Sequence, residues 1–197
     1  MTEDGGKPTP ILPKMHMPAI DEARRKWQDP EAILADMGLK PGMTFIDVGC
    51  GGGFFALPAD KIVGEGGKVY GLDTSARSIA GLKALADREG LKNLDLTTGK
   101  AEELILCKGC ADIVFFGIAL HDFQDPAKVL ANARRMVKPS GRLVNLDWKK
   151  ESMKLGPPVH IRFSEETASR LIESAGFRVE STKDSGLYHY IIIAKPV

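Results

Sequence analysis

Short apolar runs and longer amphipathic stretches alternate along this chain, in the order expected of a sheet whose strands are connected by helices. The run Ile113–Phe116 is unbroken, which is typical of a parallel strand that is buried on both faces. The apolar runs predict five strands, at Thr44–Val48, Val69–Leu72, Leu94–Leu96, Ala111–Gly117 and Arg142–Trp148.

Helical patterns fill the intervals between these strands. The clearest covers Ser75–Arg88, is amphipathic and is closed by Gly90. Another begins at Asp125–Pro126 and runs through Lys138, where Pro139–Gly141 breaks it. Further helices are predicted over Phe54–Ile62, over Ser164–Gly176 with Ser164 as N-cap, and, as one or two helices, over Ile20–Met37 with Asp29 as an N-cap before Pro30.

The last two apolar runs, Phe177–Ser181 and Tyr188–Ala194, are joined by Asp184–Gly186 and predict a β-hairpin. The preceding strands alternate with helices, and right-handed crossovers then give an α/β fold, a doubly wound and mostly parallel sheet with helices on both faces. Ligands of such sheets bind beyond the carboxyl ends of the strands. The residues that end the first four strands are therefore the candidates for a binding site.

Composition narrows the class of protein. The 197 residues fit one domain, predicted over residues 19–197, and four prolines in the first eighteen residues predict a flexible arm over 1–18. The net charge of +1 gives no bulk attraction to nucleic acid or to an anionic membrane. No apolar run approaches the ~20 residues of a membrane span, and the polar start lacks the apolar core of a signal peptide. We expect a cytoplasmic protein with no nucleic-acid or membrane partner, and the sequence leaves a homodimer open.

The chain has three cysteines, and this odd number argues against a disulfide scaffold. Cys107 and Cys110 form a CxxC pair, which supplies only two of the four ligands of a zinc site. A redox pair is conceivable, but such pairs normally open a helix, whereas this one lies in a loop before a strand. We expect no metal, and we interpret the pair as ordinary small residues of a connection.

The most informative segment is Phe45–Gly53, in which an apolar strand ends in Asp-Val-Gly-Cys-Gly-Gly-Gly. Glycines let a ligand approach the backbone closely, and the next strand ends in Asp73, where ribose hydroxyls are bound in nucleotide sites. A dinucleotide fingerprint would place a small residue at position 54, which is Phe54 here. Asp47 would repel a pyrophosphate and favours a cationic ligand group instead. S-adenosylmethionine combines adenosine with an ammonium group and carries no phosphate.

Four motifs now resemble, in order, those of the class I S-adenosylmethionine-dependent methyltransferases. The last two are similar to signatures of the type 11 branch that is related to quinone-biosynthesis methyltransferases. The resemblance covers nearly all of the chain from Trp27 to Lys195, and it implies a seven-stranded Rossmann-like sheet whose last strand is antiparallel. The four motifs are Asp47–Gly53, Gly71–Ser75, Leu120–Pro126 and Val137–Leu143.

The resemblance implies roles for the residues of the first two motifs. Gly49, Gly51 and Gly53 would wrap the methionine portion of the cofactor, with Cys50 as a small side chain between them, and would bring helix amides toward its carboxylate. Asp47 would hold the ammonium group, or else cap the turn as a strand-end carboxylate. Asp73, followed by Thr74, would bind the ribose, or else act as the N-cap of the next helix.

The adenine side of the site follows the third strand. By resemblance, the backbone amide of Ala101 would lie at the adenine ring, with Lys100 and Glu102 beside it. Lys100 stands where the family usually has an acidic residue, and lysine has no hydrogen-bond acceptor for the adenine amino group. The ring would then be bound by backbone groups or by Glu102. Gly117, which ends the fourth strand, would bring its carbonyl to the cofactor's amino group.

Transfer of a methyl group to a small-molecule acceptor is the function that this sequence predicts. His121 is the candidate general base, with a structural role at the start of the following helix as the alternative. Positioning alone can supply most of the acceleration for such a displacement. The acceptor side is predicted to involve Lys149–Phe163 and the N-terminal Met15, His16, Met17 and Trp27. An NAD(P)-dependent oxidoreductase and a non-catalytic cofactor-binding module are the alternative functions.

Overall fold

The computed structural model describes residues 22–197, in which seven strands form one sheet. The strands are β1 (Thr44–Val48), β2 (Lys68–Asp73), β3 (Leu94–Thr98), β4 (Ala111–Gly117), β5 (Val137–Trp148), β6 (Phe177–Ser185) and β7 (His189–Pro196). The helices are α1 (Pro30–Asp36), α2 (Ala56–Val63), α3 (Ala76–Glu89), α4 (Pro126–Met136) and α5 (Glu165–Ser174), with a short 3-10 helix at Leu120–Asp122. Residues 22–25 are also helical.

The strand order is β3-β2-β1-β4-β5-β7-β6. Strands β1 to β5 are parallel, with Asp47 of β1 opposite Gly71 of β2 and Phe115 of β4. The last strand in the chain, β7, lies between β5 and β6 and is antiparallel to both. The predicted fold class is confirmed, as is the antiparallel last strand that the family resemblance implied.

The core lies on the two faces of the sheet, since successive side chains of a strand point to opposite faces. Val114 and Phe116 of β4 pack into one hydrophobic cluster with residues of α4 and α5. Ile113 and Phe115 pack into the other cluster with residues of α1, α2 and α3. All four side chains are almost completely buried, as the unbroken apolar run predicts.

Side-chain caps define where the helices begin. The Asp29 carboxylate accepts from the amide of Ala32 at 3.0 Å, and the Ser164 hydroxyl accepts from the amide of Thr167 at 3.2 Å. Both are the N-caps that the sequence predicted. Each cap satisfies a backbone donor that the first turn of a helix leaves unpaired.

Two predicted boundaries are wrong. The helix that was expected to reach Lys138 ends at Met136, and β5 begins at Val137 instead of Arg142. Lys138 precedes a proline, which disfavours helical backbone, and the β-branched Val137 pairs with Ala111 in the sheet. A register shift between Ala111 and Ile113 then accommodates the residues that were predicted to be a break.

The hairpin turn is also displaced from its predicted position. Asp184 and Ser185 belong to β6, where they pair with Tyr190 and His189 of β7. The strand was predicted to end at Ser181 because the polar composition beyond it resembles a loop. Pairing with a strongly apolar neighbour outweighs the local preference there, since measured strand propensities depend on such contacts.

Cys107 and Cys110 form a disulfide in the loop between β3 and β4, so their interpretation as ordinary small residues is wrong. The amide of Leu106 lies 3.3 Å from the Met136 sulfur, and the amide of Gly109 donates to the Arg135 carbonyl at 2.9 Å. These contacts hold both ends of the pair against the end of α4. Among the described residues, no three histidine, cysteine or acidic side chains are grouped as metal ligands.

The predicted arm over residues 1–18 lies outside the described residues, as do Met15, His16 and Met17. Within residues 22–197, none of the helices combines the length and the apolar character that crossing a membrane requires.

The turn before β2 offers a test of the packing. A Cβ atom on Gly67 would lie 2.4 Å from the Val63 Cβ and 2.7 Å from the Met43 carbonyl oxygen, which is backbone and cannot rotate away. We expect Gly67→Ala to lower the free energy of unfolding by about 1–3 kcal/mol, measured by chemical denaturation. The neighbouring Gly66→Ala is the control, because the nearest atom to its Cβ would be 3.8 Å away. Equal stabilities of the two variants would contradict this packing.

Candidate functional site

Two adjoining cavities lie at the carboxyl ends of the central strands, where ligands of doubly wound sheets bind. The first cavity has a volume of about 380 Å³ and is lined by Gly49, Leu72, Asp73, Thr74, Gly99, Lys100, Ala101, Glu102, Ile118, Ala119, Asp122, Phe123 and Gln124. The second has a volume of about 300 Å³ and is lined by Arg24, Trp27, Asp47, Gly49, Cys50, Gly51, Gly52, Phe54, Phe55, Gly117, Ile118 and Trp148. Gly49 and Ile118 line both, so an elongated molecule can lie across them.

The structure brings most of the predicted site residues to these two cavities. Asp73, Thr74, Lys100, Ala101 and Glu102 line the first, as expected of the ribose and adenine side. The second is lined by Asp47, Cys50, Gly51 and Gly117, and Gly49 lies between the two. Gly53 and His121 line neither cavity.

The glycine turn has the close packing that its sequence predicts. Gly49 has φ +81°, and a Cβ atom on it would lie 2.8 Å from the Ala119 Cβ. Its amide and that of Cys50 donate to the Leu72 carbonyl, at 2.7 and 3.1 Å. The amide of Gly53 donates to the Cys50 carbonyl at 2.9 Å. These three amides therefore bind within the protein, and the predicted contact between amides of the following helix and a ligand carboxylate stays a prediction.

Asp73 ties the glycine turn to the start of α3. One carboxylate oxygen accepts from the amide of Gly51 and the other from the amide of Ser75, both at 2.8 Å. The N-cap of α3 is Ser75 rather than Asp73, so the alternative role for Asp73 is wrong. Each carboxylate oxygen has two lone pairs and keeps one for a ligand hydroxyl in the first cavity.

Asp47 is the least compensated charge of the site. It is 2% exposed, and its Oδ2 atom has no hydrogen-bond partner among residues 22–197. Burial raises the pKa of Asp47 to about 7, against the lowering effects of Arg24 and of the Ala56 amide, while Asp73 raises it further. Because a buried carboxylate is costly without a partner, this position favours a ligand that brings a positive charge.

The turn after β3 is positioned by a residue that sequence reasoning missed. The Asn132 side chain on α4 donates to the carbonyls of Ala101 and Glu102, at 2.9 and 3.1 Å. A buried polar residue on an otherwise apolar helix face was the available signal. Lys100 points toward solvent, with 59% of its side chain exposed, and lies 3.8 Å from Glu103.

Aromatic side chains form the walls of the second cavity. The Trp27 and Trp148 ring centres are 5.7 Å apart, and the rings of Phe54 and Phe55 meet edge to face at 5.0 Å. The Arg24 guanidinium lies 3.9 Å from the Phe54 ring centre. Of these residues only Trp27 was a candidate, because the others come from distant segments and belong to no motif that predicts their convergence.

The segment Lys149–Phe163 supports this wall without reaching the cavity. The Arg162 guanidinium donates to four carbonyls of the segment and lies 5.5 Å from the Trp148 ring. Gly156 packs against the same ring, where a Cβ atom would come within 2.8 Å. No residue of this segment lines the second cavity, and its place on the acceptor side stays a prediction.

His121 is held by two carboxylates. Its side chain is 2% exposed, with Nδ1 at 2.7 Å from Asp147 Oδ1 and Nε2 at 3.3 Å from Asp122 Oδ1. Burial by itself lowers the pKa of His121, and Arg162 lowers it further. The hydrogen bond to Asp147 and the charges of Asp147 and Asp122 outweigh both effects and raise the pKa above its ordinary value.

Ile118 has strained backbone at the junction of the two cavities. Its φ is +62°, a conformation that a β-branched residue adopts at a cost of order 1–3 kcal/mol. Its amide donates to the Leu146 carbonyl at 2.7 Å, which holds it in place. The strain is confined to the one residue other than glycine that lines both cavities.

Comparison with known proteins gives a consistent family. A family model described as a methyltransferase domain matches residues 39–184, which is more than half of the chain. A demethylmenaquinone methyltransferase of Bacillus mycoides is 36% identical over 117 residues, which are 59% of this chain and 49% of that protein. The chain therefore spans about half the length of the curated relatives that it matches.

Two solved methyltransferase structures match this chain. The crystal structure of a SAM-dependent methyltransferase from Aquifex aeolicus is 32% identical, with a TM-score of 0.85, and the match covers 93% of this chain and all of that one. A geranyl diphosphate methyltransferase in complex with SAM is 17% identical, with a TM-score of 0.72 and coverage of 85% and 84%, and shows the same fold. With the family model, the match to the Aquifex aeolicus protein shows that the chain belongs to the class I S-adenosylmethionine-dependent methyltransferases.

Proposed function

We propose that the protein transfers a methyl group from S-adenosylmethionine to a small aromatic acceptor that binds at the aromatic wall of the second cavity, beside the methionine end of the donor. The observation that carries this proposal is the pair of joined cavities with the buried carboxylate of Asp47 beside their junction. Relatives named demethylmenaquinone methyltransferase favour a quinol-like ring as the acceptor. These relatives are about twice as long as the region that matches this chain, so the identity of the acceptor is itself proposed.

The residues of both cavities fit the methyl donor. Asp73 keeps acceptor capacity for the ribose hydroxyls, and the turn at Ala101 and Glu102 faces the place for adenine. The unsatisfied Oδ2 of Asp47 suits the ammonium group of the methionine end. When bound, S-adenosylmethionine supplies a methyl group that its sulfonium activates. Gly117, Cys50 and Thr74 contribute shape rather than charge to this fit.

The walls of the second cavity suit a flat acceptor. Trp27, Phe54, Phe55 and Trp148 offer aromatic faces and edges, which bind rings in offset or edge-to-face arrangements. Positioning the acceptor against the methyl group supplies most of the required acceleration. This cavity therefore acts mainly by orientation.

We propose a positioning role for His121 rather than proton removal from the acceptor. Its ring lines neither cavity, and its Nδ1 is engaged by Asp147 of β5. The contact joins the residues after β4, which line the first cavity, to the strand that carries Trp148.

The cytoplasmic location and the homodimer remain predictions.

The proposed function is tested by binding and turnover. S-adenosylhomocysteine is expected to raise the melting temperature, whereas NADPH is not. A panel of hydroquinones and catechols is then screened for release of S-adenosylhomocysteine from S-adenosylmethionine. Stabilisation by NADPH alone would favour the oxidoreductase alternative, and binding without turnover on any acceptor would favour the non-catalytic module.

Asp73→Asn is expected to weaken S-adenosylhomocysteine binding about 10- to 100-fold, measured by calorimetry. Asparagine has one acceptor oxygen where aspartate has two, and hydrogen bonds to charged groups contribute about 1.5–3 kcal/mol. Asp95→Asn is the matched control, because Asp95 is an exposed partner of Lys68 on the adjacent β3. Equal affinities of the two variants would show that Asp73 does not bind the ribose.

Asp47 couples stability and binding to pH. Its pKa of about 7 in the folded protein lies above the ordinary value of 3.8, so its ionisation opposes folding as pH rises between these values. Asp47→Asn is expected to raise the melting temperature of the ligand-free protein at about pH 8, with a smaller gain at about pH 5. The wild type should bind S-adenosylhomocysteine more weakly as pH falls through 7. Asp47→Asn should bind it more weakly than the wild type does, and the affinity of the variant should depend little on pH. A variant that binds like the wild type at every pH would refute this role.

His121 gives a pH dependence of the opposite sign. A pKa that is raised by folding contributes stability that is fully present below the unfolded value of about 6.5 and is lost as pH rises through the folded value. We expect His121→Gln to destabilise the protein more at about pH 6 than at about pH 9, measured by urea denaturation. An equal loss of unfolding free energy at both pH values would mean that the ion pair with Asp147 contributes nothing to stability.

A further inference from the structure

We infer that Arg24, in the segment before β1, binds the carboxylate of the methyl donor's amino acid and thereby connects donor binding to the wall of the acceptor cavity. This inference rests on the proposed function. Arg24 lies before residues 39–184, which the family model matches, and no motif of the sequence points to it. The hydrogen-bond donors and charged groups that line the second cavity support this role for Arg24.

The glycine turn has few amides left for a carboxylate. The amides of Gly49, Cys50 and Gly53 donate to carbonyls of the protein, and that of Gly51 donates to Asp73. The first amides of α2 are also used, since Leu57 and Ala59 donate to carbonyls before them. A positively charged donor from another part of the chain would therefore hold a ligand carboxylate here more strongly than the remaining amides can.

Arg24 is that donor. Among the described residues that line the second cavity, it is the one with a positive charge, and Asp47 is the one with a negative charge. An α-amino acid group carries both charges on one carbon, so this pair of residues is complementary to it. The charge of Arg24 also lowers the pKa of Asp47, which indicates that the two act on the same space.

The guanidinium is oriented by its neighbours. It lies over the Phe54 ring at 3.9 Å from the centre, and its Nε donates to the Gln28 side chain at 2.6 Å. Gln28 is itself buried. A planar guanidinium that stacks on a ring keeps its N–H groups in the plane of the group, which is the arrangement that binds a carboxylate through two parallel hydrogen bonds.

Two other cations lie near the wall of this cavity. Arg162 faces the Trp148 ring, but its guanidinium donates to the carbonyls of its own loop. The Lys149 ammonium is 2.9 Å from the Asp184 carboxylate. Neither of them lines the second cavity as described.

The same segment carries a wall of the acceptor cavity. The amides of Trp27 and Gln28 donate to the Arg24 carbonyl, at 3.1 and 3.0 Å, so the two side chains belong to one turn. The Trp27 ring stacks on His189 with centres 5.5 Å apart and lies 5.7 Å from that of Trp148. A donor carboxylate on Arg24 therefore fixes the turn that presents Trp27, and the donor prepares the site for the acceptor.

The test compares two ligands that differ only in the carboxylate. Calorimetry measures the binding of S-adenosylmethionine and of its decarboxylated analogue, which keeps the sulfonium and the ammonium, to the full chain. Arg24→Met is expected to weaken S-adenosylmethionine binding about 10- to 100-fold and to change the binding of the analogue less than about twofold. Arg24→Lys keeps the charge without the planar group, and should give an intermediate loss with S-adenosylmethionine.

Arg25→Met is the matched control, since Arg25 is the next residue, is exposed and pairs with Glu31 at 2.8 Å. It removes the same net charge and should leave the affinities for both ligands near those of the wild type. Equal losses for both ligands with Arg24→Met, or no loss for either, would overturn the inference. If Arg24→Met does not fold, Arg24→Lys decides by the same comparison of ligands. A wild-type protein that binds neither ligand would refute the proposed function itself.

Discussion

A carboxylate buried at the centre of a parallel sheet, with one oxygen left without a donor, is the constraint on which this site depends. Asp47 lies between Gly71 and Phe115 in the sheet and is 2% exposed. A folded protein keeps such a group only at a cost in stability, which a positively charged ligand can offset. The glycine turn that follows and the acidic end of β2 at Asp73 then complete the site proposed for a molecule with a cationic end and a sugar.

The two cavities are built from different parts of the chain. The first cavity is built from the ends of β2, the turn after β3 and the residues after β4, and Asn132 of α4 holds that turn. Much of the wall of the second cavity comes from Arg24 and Trp27 before the sheet and from Trp148 at the end of β5. The first cavity thus follows from the order of the strands, whereas the second also depends on a segment that precedes the sheet.

The parts of the fold that sequence reasoning predicted are those that local chemistry determines. β1 and β4 have their predicted bounds because apolar runs end at glycine or at a turn, and Asp29 and Ser164 cap their helices through contacts within four residues. Contacts between distant segments account for what was missed. Arg24 meets Phe54 only in the folded chain, and the strand at Val137 depends on pairing with Ala111.

The position of β7 has a consequence for how the protein is made. Because β6 leaves the ribosome before β7 but joins the sheet only through it, the sheet cannot be closed in the order of synthesis. Until β7 inserts, β5 presents a free edge whose backbone groups can pair with other chains. The newly made chain therefore passes through an interval in which this edge is open, and pairing of β7 with β5 closes it.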